Sequence, residues 1–139
     1  MKKLIYLLPL LMLIAGCVKT DIGQQPTPLV PYGTFTGKFT RTHTDQATSA
    51  LTTTTANIKL VMTEDGFTLT STAVAVHANG SGDFLGDELN IQFSDVASPT
   101  IPDGKTYLHG FYTYLYDGNT LKLSKQSGDD AYLYEVSKY

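Results

Sequence analysis

Three histidines, His43, His77 and His109, are the side chains of this 139-residue chain whose ordinary pKa lies near neutrality. Imidazoles brought together from three strands could hold a zinc ion. No HxH or HxxxH pair supports such a site, so the spacing points to separate strand or rim residues and to no metal. Nucleophilic hydrolysis has no better footing. Serine and threonine are abundant, but a G-x-S-x-G elbow is absent. Carboxylates adjoin as Glu64-Asp65, Asp87-Glu88 and Asp129-Asp130. Neighbours on a strand point to opposite faces, and acidic residues in turns have a structural reason of their own. These residues lead us to expect a protein that is not an enzyme and carries no cofactor.

The single cysteine offers a different chemistry. Lys2 and Lys3 precede an apolar run over residues 4–14, and Ala15-Gly16-Cys17 follows. A short positive end, an apolar middle and small residues at the cleavage point are the layout of a secretory signal. The run is about half the length of a membrane-spanning helix. Leu13-Ile14-Ala15-Gly16-Cys17 resembles a bacterial lipobox, which implies a signal peptide over residues 1–16 and acylation of Cys17 as the first mature residue. Lipid chains there would anchor the protein to a membrane, each buried methylene contributing about 0.8 kcal/mol. Val18, rather than an aspartate, after Cys17 implies the outer membrane by resemblance to lipoprotein sorting rules. An acylated Cys17 leaves no thiol for a disulfide.

Cleavage would remove two of the ten basic residues and leave eight against thirteen acidic, a net charge of −5. The remaining basic residues form no run or stripe, so no nucleic-acid partner is expected. Residues 17–31 contain Pro26, Pro28 and Pro31 among polar neighbours and read as a flexible tether, up to roughly 45 Å long at 3.3 Å per residue. The folded domain is expected over residues 32–139, a size that supports one core.

Any chemistry must be positioned by strands, because hydropathy from Tyr32 onward has period two and nowhere period 3.6. Phe35, Gly37, Phe39 and Arg41 alternate with threonines and Lys38; Ala56, Ile58, Leu60 and Met62 follow the same rule. Glu64-Asp65-Gly66 turns the chain into Phe67 and Leu69. A fourth strand is expected from Val74 and Val76 through Gly80 to Phe84. Leu89, Ile91 and Phe93 mark the fifth, after a Gly86-Asp87 turn. A loop with Pro99, Pro102 and Asp103-Gly104 leads to an aromatic strand over residues 108–116. Asp117-Gly118 turns into Leu121 and Leu123, and Ser127-Gly128-Asp129-Asp130 turns into a last strand over residues 131–138.

Eight antiparallel strands joined mostly by short turns have two economical solutions, a sandwich or an up-and-down barrel. Closure removes exposed edges, and no cysteine pair or tryptophan argues for an immunoglobulin-type sandwich. We therefore expect an all-β, antiparallel, eight-stranded up-and-down barrel.

Four stretches of the second half carry a family resemblance: Leu89-Asn90-Ile91-Gln92-Phe93-Ser94-Asp95, Leu108-His109-Gly110-Phe111-Tyr112-Thr113-Tyr114, Asp117-Gly118-Asn119-Thr120-Leu121-Lys122-Leu123 and Tyr132-Leu133-Tyr134-Glu135. They resemble the C-terminal half of small lipocalin-like lipoproteins, Gram-negative envelope proteins with a calycin-type barrel. Gly33-Thr34-Phe35-Thr36-Gly37-Lys38-Phe39 is similar to the first strand of such barrels, with Phe35 or Phe39 where a tryptophan is usual. The resemblance covers residues 33–138 and implies a lipocalin-like fold in the cell envelope.

Seven of the nine tyrosines fall after residue 100. Tyr112, Tyr114 and Tyr116 share one strand face, and Phe111 and Leu115 make the alternate face apolar as well, so the sequence leaves the inward face open. Tyrosine combines a large apolar ring with a hydrogen-bonding tip, which suits a barrel mouth or a binding surface. The expected function is a lipid-anchored, non-enzymatic binding module for a small apolar or amphipathic molecule. Its expected lining is Phe35, Phe39, Phe67, Phe93, Tyr112, Tyr114, Tyr116, Tyr132 and Tyr134. The alternative is a filled barrel whose outer face docks an envelope protein. An apolar cavity of about 300 Å³ or more would favour the ligand; a packed interior with an exposed aromatic patch would favour the scaffold.

Overall fold

A computed structural model of the chain describes residues 30–98 and 103–139. The expected leader, Cys17 and all of the tether but Val30 and Pro31 lie outside the described residues, as do Pro99 and Pro102. The strands are β1 (Gly33–Thr44), β2 (Leu51–Thr63), β3 (Gly66–Ser71), β4 (Gly80–Gly86), β5 (Asn90–Asp95), β6 (Gly110–Tyr116), β7 (Thr120–Ser127) and β8 (Asp130–Lys138). Each pairs antiparallel with its neighbour, and β8 returns to β1, so the sheet is a closed up-and-down barrel. There is no helix among the described residues. The architecture is consistent with a lipocalin-like fold.

Period-two patterning decides which way each side chain points. Phe35 and Phe39, Ile58 and Leu60, Ile91 and Phe93, Leu121 and Leu123, and Tyr134 and Val136 all point inward and are buried. On β6 the choice between faces is resolved: Tyr112 and Tyr114 are buried, whereas Phe111 and Leu115 are 66% and 67% exposed. Gly37 shows why the inward phase of β1 skips a side chain. A Cβ there would lie 2.1 Å from the carbonyl oxygen of Glu135 and 2.7 Å from Cα of Val136, so only glycine lets β8 close against β1.

The two ends of the barrel differ. One has short acidic turns. Asp87 Oδ1 accepts the amides of Leu89 and Asn90, and Asp117 Oδ1 accepts those of Asn119 and Thr120. These carboxylates hold turns, as their positions suggested. The other end carries the longer connections, residues 45–50 and 72–79 and the one that joins β5 to β6. The first strand enters at the short-turn end and runs towards the long-connection end.

Three strand expectations need correction. The sixth strand begins at Gly110, not at Leu108, because Leu108 and His109 still belong to the connection from β5. The fourth strand begins at Gly80, not at Val74. Residues 74–76 form a turn in which the amides of Val76 and His77 both bond to Ala73 O, because this segment leaves the sheet to cross the barrel end. Leu89, in phase with Ile91 and Phe93, is exposed: its amide closes the Asp87 turn, one residue before β5 begins.

Candidate functional site

Residues 72–79 and 103–109 meet across the end of the barrel. Ala78 N bonds to Thr106 O at 2.9 Å and Thr106 N to Val76 O at 3.0 Å, so a short parallel bridge pins one to the other. Together they form a cap. Leu108 and His77 project from it and are fully buried.

His77 joins the cap to the barrel wall. Its Nδ1 lies 2.7 Å from Ala78 O, a carbonyl that can only accept, so Nδ1 carries the proton. Nε2 is then the acceptor for Tyr134 Oη, also at 2.7 Å. The ring packs edge-on against Phe39 at 4.7 Å and Tyr134 at 5.5 Å. Burial holds the imidazole below its usual pKa of 6.5, with the Ala78 carbonyl and Asp95 opposing. Burial pushes the hydroxyl of Tyr112, whose ring packs 5.6 Å from that of Tyr134, up to about 12. Tyr134, His77 and the Ala78 carbonyl thus form a buried polar chain through an aromatic core.

Beside this chain sits Asp95, 5% exposed at the top of β5. Its Oδ1 accepts the amide of Ala97 and its own amide donates to His109 Nδ1 at 3.2 Å. Its Oδ2 and Thr106 Oγ1 are buried under the cap without a hydrogen-bond partner among the described residues. A Cβ on Gly80 would lie 2.0 Å from Asp95 Oδ2, so the glycine makes room for the carboxylate.

An open cleft of about 360 Å³ lies between the cap and the rim, with Thr106, Tyr107 and His109 on one side and Tyr112, Lys125 and Tyr132 on the other. Lys125 Nζ donates to His109 O at 2.9 Å and lies 5.2 Å from the Tyr112 ring centroid and 6.0 Å from that of Tyr132. Partial burial lowers its pKa below the ordinary lysine value. Arg41 approaches Tyr132 to 6.0 Å, with Nε and Nη2 bonded to the two oxygens of Asp130 at 2.9 and 3.0 Å. At the outer lip, Tyr107 Oη donates to Asp103 Oδ2 at 2.8 Å, and Lys105 Nζ lies 3.5 Å from the same oxygen.

The residues expected to line a ligand cavity divide into three groups. Phe35, Phe39, Phe67 and Phe93 are buried and fill the interior with ring contacts, Phe67 against Phe93 at 5.0 Å and Phe93 against Tyr112 at 5.9 Å. Tyr112, Tyr132 and Tyr134 converge at the capped end. Tyr114 and Tyr116 do not join them: their hydroxyls donate to Asp87 O and Gly118 O, in the turns at the opposite end. The histidines are also apart. His77 meets Tyr134, His109 meets the Asp95 amide, and His43 lies 3.1 Å from Asp130 on the rim. Among the described residues no cluster of three or more His, Cys, Asp or Glu could hold a metal. A larger groove, about 670 Å³, crosses the outer face beside Gly37, Ile58 and Thr72, with Lys38, Lys59 and Glu135 at its edges, away from the buried polar chain.

Sequence reasoning missed Arg41, Asp95, Lys125 and Asp130, although a signal was there. Each shares strand phase with inward apolar residues: Arg41 with Phe39, Asp95 with Phe93, Lys125 with Leu123, Asp130 with Tyr132 and Tyr134. A charge on the core phase at a strand end marks the rim of a barrel. No family model, curated protein or solved structure matches this chain.

Proposed function

We propose that this protein is a lipid-anchored, non-enzymatic lipoprotein of the cell envelope, at the outer membrane, whose filled barrel binds a small amphipathic molecule at its capped end. One observation carries the binding part: a cleft of about 360 Å³, within the size range of small-molecule sites, beside an interior already occupied by packed rings. Its walls combine the faces of Tyr112 and Tyr132 with polar groups from Lys125, His109 and Tyr107. That pairing of apolar rings with a few convergent polar atoms suits a ligand with both characters. Orientation adds support. The chain enters β1 at the short-turn end, so a tether from Cys17 would hold the cleft away from the membrane.

Native mass spectrometry of the full chain, released from detergent micelles, tests the binding. A co-purified small molecule lost on Tyr132→Ala is the expected result; an unliganded wild-type protein, or an adduct indifferent to Tyr132→Ala, would count against it. Labelling cells with a lipid precursor tests the anchor: the label is expected on the wild type and absent from Cys17→Ser.

A second reading, a scaffold that docks an envelope protein, is supported by the packed interior, which matches the filled barrel expected for it, and by the outer face of β4 to β6. Leu85 pairs with Gln92 and Gln92 with Phe111, and both apolar members of this row are exposed. Photo-crosslinking in cells from position 111, with outward Thr55 as control, separates the readings. A single adduct specific to position 111 supports docking, and none opposes it.

A further inference from the structure

We infer that the cleft at the capped end selects an amphipathic anion, with the anionic group on Lys125 Nζ and the apolar body against Tyr132. The inference rests on the reading of that cleft as the ligand site and assigns the charge of its occupant. Its basis is a difference among the cations at the rim. Arg41 holds Asp130 with two hydrogen bonds, and Lys105 faces Asp103. Lys125 is partly buried, lines the cleft and makes no ion pair among the described residues.

An ammonium has three donors, and His109 O takes one. The rings of Tyr112 and Tyr132 attract the cation through their faces, but neither neutralises it nor accepts its remaining protons in a hydrogen-bond plane. A cation stripped of part of its water and left without a counter-charge attracts an anion more strongly than an exposed lysine does, because the effective dielectric is lower. The acidic residue of the cleft wall, Asp103, is already engaged by Lys105 and Tyr107, which weakens its opposition to an incoming negative charge. The cleft lies at the lower end of ligand-site volumes, so the fitting occupant is one ring or short chain bearing one carboxylate.

The test uses the ¹⁵N-labelled full chain in zwitterionic micelles and three probes of one shape: 3-phenylpropionate, 3-phenylpropan-1-ol and 3-phenylpropylamine. Amide shifts of Tyr107, His109, Gly110 and Lys125 report binding at the cleft itself, separately from partition into the micelle. The anion is expected to bind at least about tenfold more tightly than the alcohol, and the amine most weakly, with the gap narrowing as salt is added. Lys125→Met is expected to bring the anion down to the level of the alcohol, whereas Lys125→Arg keeps the preference. An alcohol that binds the wild type as tightly as the anion overturns the charge assignment and leaves the cleft as a site. No cleft shift with any probe up to its solubility removes both. The wild-type series decides the matter even if a Lys125 variant does not fold.

Discussion

Replacing Tyr134 with phenylalanine removes one oxygen and keeps the ring. The retained ring still packs 4.9 Å from Phe39 and 5.6 Å from Tyr112, so the apolar contribution is nearly unchanged. What is lost is the donor to His77 Nε2, a nitrogen on a residue with no exposed surface. A buried acceptor left without its donor costs about 1–3 kcal/mol. For a domain of roughly 100 residues that is a fall in Tm of about 4–15 °C. Tyr116→Phe is the matched control: its hydroxyl donates to Gly118 O in a turn where water can replace it, and the expected cost is below about 1 kcal/mol. Urea unfolding followed by circular dichroism gives both values. The decisive measurement is a double-mutant cycle with His77→Phe. Once both polar partners are gone neither is stranded, so the double variant should lose about 1–2 kcal/mol less than the two single losses added together. Additivity within about 0.5 kcal/mol would refute a coupled Tyr134–His77 bond.

Two further outcomes follow from the same geometry. His77 is held neutral below its usual pKa, so as pH drops below about 6.5 the unfolded chain takes up a proton that the folded chain refuses. Stability should therefore fall by up to about 1.4 kcal/mol per pH unit until the folded pKa is reached. Asp87, Asp103 and Asp117 act in a lower window, since their depressed pKa values keep their contribution intact above the ordinary value of 3.8. Urea midpoints from pH 7 to 5 should fall for the wild type and stay flatter for His77→Phe; parallel curves would count against the assignment. Gly37→Ala should destabilise the barrel by roughly 3 kcal/mol or more, because its Cβ meets the β8 backbone and not a movable side chain. A Tm within about 2 °C of wild type would mean that β1 and β8 can separate there without loss.

The strands and most of their turns were legible because their causes are local. Phe35 and Phe39 each sit two residues from Gly37 on one face, and Asp117 caps a turn whose amides are two and three residues away. Where a long-range requirement overrode the local pattern, the reading slipped. Val74 and Val76 have strand chemistry, yet their segment is drawn across the barrel end by the bridge to Thr106. At Leu89 two local rules compete instead: it keeps the period of β5, and the Asp87 turn two residues back claims it. The face of β6 was undecided because both of its phases are apolar.

What the sequence determined alone was an alternating, acid-turned, eight-stranded chain with one apolar face. Period-two hydropathy and turn chemistry act over two to four residues and are written in order along the chain. Only the tertiary structure decided that this face is filled by rings, that Tyr112, Tyr132 and Tyr134 gather at one end while Tyr114 and Tyr116 serve the other, and that Lys125 stands in a cleft with no ion pair among the described residues. Arg41 and Asp130 are 89 residues apart, and His77 and Tyr134 are 57 apart. Such partners become neighbours through closure of β8 on β1 and the crossing of the cap connections, and no local pattern encodes those distances.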